Sequence, residues 1–438
     1  MNSSLRLNST SNSSSQSRRL QLASITSSKL RFTRSEVTSR RLQPASITSI
    51  ELIYGPAGVG KTEAVINRLK ELLKNKDVNI AASLQHTLIA VLAPTHSAVQ
   101  NLKNRCSKLL SEQAIGHLFF ATIYSYFRID WLNDDVIGAI TYHPYIFIDE
   151  FGLIKKELFQ SILHKIALAP IKVNLVISGD IVQLSPIYEG ERMISFRKLK
   201  KHYERVPAYI AEHDFNSIFS ISKIRKSKHT LLTINHRSNR DVLEIINKLF
   251  FKCECDIKPI TTMRAINLIM NEGWTMISSK YEFQRPIYDT IIKLTKNGFI
   301  VSSTGAFKEL LFFEGARFIA NDNYKDRDIL NGDELVVEGK MLRKPDGELV
   351  EANELDLLPS FLLSAHKAQG LSIDKVIVCI DELFDPCLLY TACTRAVSKL
   401  EFYSTQRFDD KRRNELIEYL KRFNELMRFY GYVYDEIQ

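Results

Sequence analysis

Gly55-Pro56-Ala57-Gly58-Val59-Gly60-Lys61-Thr62 stands between the apolar run Ile50-Glu51-Leu52-Ile53-Tyr54 and the helix-like stretch EAVINRLKELLK. Strand, glycine-rich loop and helix is the context in which G-x-x-x-x-G-K-[ST] forms a phosphate loop. The glycines let successive backbone N–H groups turn inward around a polyphosphate, and the helix N-terminus adds its positive dipole end. Lys61 is expected to reach the β- and γ-phosphates, and Thr62 to hold Mg²⁺. Residues 55–62 therefore predict a nucleoside triphosphate site in an α/β domain.

Outward from this loop, short apolar runs alternate with helix-period segments. Candidate strands lie at 50–54, 87–93, 118–122, 145–149, 173–178, 229–233, 298–303 and 375–380. Many are apolar on both faces, as parallel strands buried between helices are, which predicts a doubly wound architecture. Residues 314–358 differ, with turn signals at Asn331-Gly332-Asp333 and Pro345-Asp346-Gly347 between short β-rich runs. They predict a small β insertion between two strands of a parallel sheet. Over 411–430, Leu416, Leu420, Phe423, Leu426 and Phe429 share one helical face, which predicts a helix packed on the body.

Two further strand ends carry polar groups. Tyr145-Ile146-Phe147-Ile148 runs into Asp149-Glu150. Ligands occupy the C-terminal edge of such sheets, so Asp149 is expected to complete the Mg²⁺ shell and Glu150 to act on the attacking water. Leu175-Val176-Ile177-Ser178-Gly179-Asp180 is followed by Gln183, whose amide can accept from the lytic water and donate to the γ-phosphate.

The 438 residues, 25% charged and 45% hydrophobic, have room for two or three domains. No apolar run approaches the ~18 residues of a membrane span, so no membrane partner is expected. The six cysteines form no CxxC or Cys/His pattern, which argues against a zinc site and for a reducing, intracellular compartment. The net charge is +9, but residues 1–49 hold seven Arg and one Lys against Glu36. That tail carries +7 and leaves only +2 for the body, so any nucleic-acid track must be local. The tail is Ser/Arg-rich and expected to be disordered. It repeats RRLQLASITS (18–27) as RRLQPASITS (40–49). Three readings of it stay open: a mitochondrial transit peptide, a nucleic-acid-binding arm, or an extension without its own function.

Taken together, GPAGVGKT, APTHSAVQNL (93–102), ATIYSYF (121–127), FIDEFG (147–152), SGDIVQLSP (178–186), INHRS (234–238), SAHKAQGLSIDKVIV (364–378) and YTACTRA (390–396) resemble the motif set of superfamily 1 helicases, in the family's order. HKAQGLSIDKVIV and the β insertion before it are most similar to the RecD-like branch, whose members move 5′→3′ on single-stranded DNA. Departures from that branch include Phe151-Gly152 after the acidic pair, Ser364-Ala365, and Thr391-Ala392-Cys393-Thr394 before the arginine. Only Gln43 is offered as an adenine-reading glutamine ahead of the loop, in the duplicated segment.

The resemblance implies two RecA-like parallel-sheet P-loop domains. Residues 50–222 would form the first, and 223–313 with 359–408 the second, carrying the insertion 314–358. A C-terminal helix would occupy 409–438, after the tail 1–49. It further implies a hydrolytic site of Lys61, Thr62, Asp149, Glu150 and Gln183, binding ATP and Mg²⁺. Arg237 and Arg395 would be donated from the second domain onto the γ-phosphate. Gln369 and Gly370 are assigned to nucleotide binding, and Pro94, Thr95, His96, Thr122, Tyr124 and His366 to the nucleic-acid track. The function implied is an ATP-dependent DNA helicase acting on single-stranded DNA or strand junctions, with the oligomeric state left open and compatible with a monomer. Two alternatives stay open: a viral-type superfamily 1 RNA helicase, and a nucleotide-gated clamp that binds nucleic acid without unwinding it.

Overall fold

The computed structural model describes residues 47–74, 89–128, 143–169, 171–184, 207–303, 305–324, 326–352, 354–381 and 386–432. Residues 1–46 of the tail, including Gln43 and most of the duplication, lie outside them.

The first sheet has the order β3-β2-β4-β5-β1-β6, from strands β1 (Ile47–Tyr54), β2 (Ile89–Ala93), β3 (Leu118–Thr122), β4 (Tyr145–Ile148), β5 (Val173–Gly179) and β6 (Lys228–Leu231). All its pairings are parallel. β2 is buried at every residue, which explains its unbroken apolar run. Helices α1 (Lys61–Lys74) and α2 (His96–Leu109) turn Val65, Ile66, Leu69, Leu102 and Cys106 onto one face. Helix α3 (Lys156–Ala167) covers the other with Phe159, Ile162, Leu163 and Ile166.

The chain then crosses through α4 (Ala208–Asn216) to α5 (Arg240–Ile246), α6 (Thr262–Glu272) and α7 (Arg285–Leu294). The second sheet, order β15-β7-β16-β17, is also parallel and uses β7 (Thr275–Ser278), β15 (Leu362–Ser364), β16 (Ile373–Cys379) and β17 (Ala396–Tyr403). Between β7 and β15 lie the hairpin β8 (Phe299–Ser302) and β9 (Glu309–Phe312), and an antiparallel sheet of order β13-β12-β11-β10-β14. Its strands are β10 (Arg317–Ala320), β11 (Glu334–Glu338), β12 (Met341–Arg343), β13 (Leu349–Glu351) and β14 (Leu357–Pro359). Helix α8 (Pro386–Cys393) precedes β17, and α9 (Asp410–Phe429) closes the described chain.

Two parallel α/β sheets with a β-rich insertion in the second confirm the expected fold class, and several boundaries move. Ile47–Ser49, assigned to the tail, begin β1, where Ile47 pairs with Val173. The division after residue 222 does not hold for the sheets: β6 pairs with β1 and is the edge of the first sheet. Strand 298–303 is not in a parallel sheet; it forms the hairpin with β9, and the insertion is flanked by β7 and β15. Both flanking strands are short, four and three residues, and escape a periodicity search. On α9, Leu416, Leu420, Phe423 and Leu426 are buried as expected, but Phe429 is 43% exposed. Among the described residues no helix is long and apolar enough to cross a membrane.

Candidate nucleotide and nucleic-acid site

The C-terminal ends of β1, β4 and β5 converge on one cleft of about 850 Å³. Its wall includes Gly58, Val59, Gly60, Lys61, Thr62, Asp149, Glu150 and Gln183 from the first domain, and Arg237, Gly370 and Arg395 from the chain beyond β6. Residues separated by more than 300 positions thus face one volume.

Lys61 leans on its own loop, donating to Gly55 O at 2.9 Å and Pro56 O at 2.7 Å, with Asp180 Oδ2 at 3.8 Å. Burial lowers its pKa, partly offset by Asp180, Glu150 and Asp149. The Ala57 N–H donates to the Tyr390 hydroxyl at 3.1 Å, and its carbonyl accepts from Asn235 Nδ2 at 3.0 Å. The His236 N–H caps Gly58 O at 2.8 Å. The carbonyls of Gly55 and Pro56 and the amide of Ala57 are thus engaged by protein, and residues 58–62 of the loop line the cleft.

Thr62 Oγ1 donates to Asp149 Oδ2 at 3.1 Å, bringing the two expected Mg²⁺ ligands together. Asp149 Oδ1 also accepts from Ser178 Oγ and from the Glu150 N–H. Burial and the Glu150 carboxylate push Asp149 up to about 6, against these hydrogen bonds. A hydroxyl and a carboxylate oxygen at one point, with the carboxylate held unfavourably charged, fit a divalent cation. That cation would screen nucleotide phosphates here. Glu150 has φ 55°, a left-handed backbone uncommon outside glycine, and lines the cleft beside Asp149. The Phe151-Gly152 departure has a packing reason: a Cβ on Gly152 would sit 2.6 Å from Asp180 O, so only glycine lets the β4 and β5 ends close together.

Arg395 is 1% exposed, yet its guanidinium reaches the cleft wall. It donates to Thr391 O at 3.0 Å and Leu371 O at 3.4 Å, at the C-terminal end of α8 where carbonyl dipoles favour a cation. Burial and the neighbouring Arg237 lower its pKa to about 9. Arg237 Nη1 donates to Thr394 O at 3.1 Å. The pair is thus assembled and braced by backbone carbonyls.

Of the other expected contacts, Gly370 lines the cleft and Gln369 does not. Both amide atoms of Gln369 are buried without a hydrogen-bond partner among the described residues. Thr95 and Thr122 cap helices, accepting from Ala98 N and Ser125 N, and Pro94 and Thr122 are buried. His96, Tyr124 and His366 are exposed, Tyr124 by 47%. The insertion touches the chain beside two of them: Lys367 Nζ, next to His366, donates to Asn331 Oδ1 at 2.6 Å, and Gly332 lies against Ser97, next to His96. Tyr390, Asn235, His236 and Asp180 were not assigned roles from sequence, although each falls inside a quoted motif. Tyr432 lies in no motif.

The AAA domain family matches residues 39–189. The ATP-dependent DNA helicase Pif1 of Campylobacter jejuni subsp. jejuni is 23% identical over 344 residues, 64% of this chain and 76% of that protein. Bacteroides Pif1 bound to ssDNA superposes with a TM-score of 0.53 at 16% identity, covering 89% of this chain and 96% of that one. A structure of two coordinating Pif1 helicases at forked dsDNA gives 0.51 at 16% identity, covering 87% and 94%. In fold and motif set, the chain is similar to superfamily 1 helicases of the Pif1 type.

Proposed function

We propose that this chain is an ATP-dependent DNA helicase that couples hydrolysis in the interdomain cleft to movement along single-stranded DNA, 5′→3′ as in the RecD-like branch. The observation that carries the reading is that Arg237 and Arg395 share a cleft with Lys61, Asp149, Glu150 and Gln183. Arginines supplied from across a cleft complete the site when it closes, so turnover becomes motion. Lys61 and residues 58–62 would bind the phosphates, Thr62 and Asp149 would hold Mg²⁺, and Glu150 would orient water. Exposed His96, Tyr124 and His366 supply the backbone and stacking contacts that a sequence-tolerant track needs. The similarity to Pif1 proteins, one of them bound to ssDNA, supports DNA as the polymer. Six free cysteines suit a reducing, intracellular setting.

The test is ATP turnover with and without single-stranded DNA or RNA, and strand displacement on duplexes with 5′ or 3′ overhangs. DNA-stimulated turnover and displacement from the 5′ overhang are expected. Stronger stimulation by RNA would replace DNA by RNA as the track, and absence of stimulation by any polynucleotide would refute the motor reading.

A further inference from the structure

Helix α9 does more than cover the body. Its buried face is anchored on the second domain, where Asn424 Nδ2 donates to Phe250 O and Phe251 O, each at 2.9 Å. Phe423 packs against Phe250 and Tyr390, with ring centroids 5.5 Å and 5.2 Å apart. Tyr390 is the residue whose hydroxyl accepts from the phosphate loop.

At its end the helix turns sharply. The Tyr432 N–H donates to Met427 O at 2.9 Å and the Gly431 N–H to Arg428 O at 3.0 Å, the paired bonds of a Schellman motif. Gly431 takes φ 76° to make it. The turn sends Tyr432, 1% exposed, inward beneath the first sheet. There its hydroxyl donates to Asp180 Oδ1 at 3.0 Å and accepts from the Ile181 N–H at 3.3 Å. Val182 N–H supplies the second donor to Asp180 Oδ1, at 3.1 Å. The other oxygen, Oδ2, is buried without a hydrogen-bond partner among the described residues and lies 3.8 Å from Lys61 Nζ.

A buried carboxylate with one oxygen accepting two hydrogen bonds and the other ion-paired to Lys61 at 3.8 Å without a hydrogen bond is held in one rotamer, short of its best contact. Its free oxygen faces the lysine expected to grip the phosphates, just beyond hydrogen-bonding reach. Were Asp180 released to rotate, it would shorten this ion pair to hydrogen-bonding distance and hold the ammonium away from the nucleotide.

We propose that Tyr432 is a positioning residue for ATP turnover, which locks Asp180 so that Lys61 stays available. It also ties this setting to the second domain through α9. The inference rests on the ATPase reading above, and the experiment separates the two. Wild-type protein without polynucleotide-stimulated turnover would refute that reading, whereas the comparisons below refute this one alone.

Tyr432→Phe keeps the ring and removes the hydroxyl. DNA-stimulated kcat is expected to fall about tenfold, with affinity for a fluorescent ATP analogue changed by less than about threefold. In an Asp180→Asn background the same change is expected to cost less than about twofold in kcat, because the carboxylate it restrains is gone. An unchanged kcat in Tyr432→Phe, or an equal loss in both backgrounds, would overturn the proposal. If Tyr432→Phe does not fold, Asn424→Ala serves instead, since it frees α9 from the second domain while leaving the cleft intact. It too is expected to lower kcat at constant analogue affinity, and an unchanged kcat overturns the link.

Discussion

Asp149 sits where two demands conflict. Metal binding needs a carboxylate, and burial beside Glu150 opposes its charge, so its pKa rises from 3.8 to about 6. A carboxyl with a raised folded pKa adds no penalty below its unfolded pKa, and loses stability as pH rises from about 4 through 6. Asp149→Asn in metal-free protein is therefore expected to be more stable than wild type above pH 6, by about 2–3 kcal/mol. The gain should vanish below pH 4 in urea melts across this range. Arg395 presents the same trade from the cationic side, buried with Arg237 beside it. Arg395→Ala is expected to lower kcat by roughly 10³–10⁵ in single-turnover assays while ATP binding persists. At Lys61, the carbonyls of Gly55 and Pro56 stand in for phosphate oxygens. Lys61→Ala should abolish turnover and strand displacement yet leave the melting temperature near wild type, because the partly buried ammonium carries a desolvation cost of its own.

At the scale of elements, legibility followed length and periodicity. The five-residue strand at 118–122 and the strand and loop at 50–62 stand where the sequence placed them. The second sheet's β7 and β15 went unseen because three or four residues carry no period, and their partners lie over 80 positions away. Strand 298–303 stands among the candidates for a parallel sheet, yet Phe299 and Ile300 are 37% and 46% exposed on a hairpin. Helix α9 shows both outcomes within one stripe. Leu420 is fully buried, and Leu420→Ala is expected to cost about 2–5 kcal/mol by denaturant titration. Phe429, placed on the same face from sequence, is 43% exposed because at about 100° per residue it stands about 140° from Leu416, while Met427 and Tyr430 continue the buried stripe, and Phe429→Ser is expected to cost less than Leu420→Ala in the same titration.

At the scale of the whole molecule, the cleft joins two domains whose arginines are stowed on carbonyls of Thr391 and Thr394. Under the proposed mechanism nucleotide binding draws the domains together. Dyes on Ser107→Cys, in α2, and Asp346→Cys, in the insertion turn, are expected to show a change in transfer efficiency when a non-hydrolysable ATP analogue and Mg²⁺ bind. Arg237→Ala combined with Arg395→Ala should lose most of that change, and an unaltered response would show that closure does not depend on these arginines.

The sequence by itself determined the local chemistry: a phosphate loop after a strand, an acidic pair at a buried strand's end, and arginines in ordered motifs. These are short-range patterns, because backbone geometry over a few residues dictates which side chains they need. Tertiary structure alone decided which of those groups share a volume. It buried the Gln369 amide outside the cleft lining, and it seated Tyr390 on the phosphate loop 333 residues before it. It also brought Tyr432 to Asp180 across 252 positions. Such contacts arise from how sheets and helices pack, and no local pattern encodes which distant hydroxyl a buried carboxylate will meet.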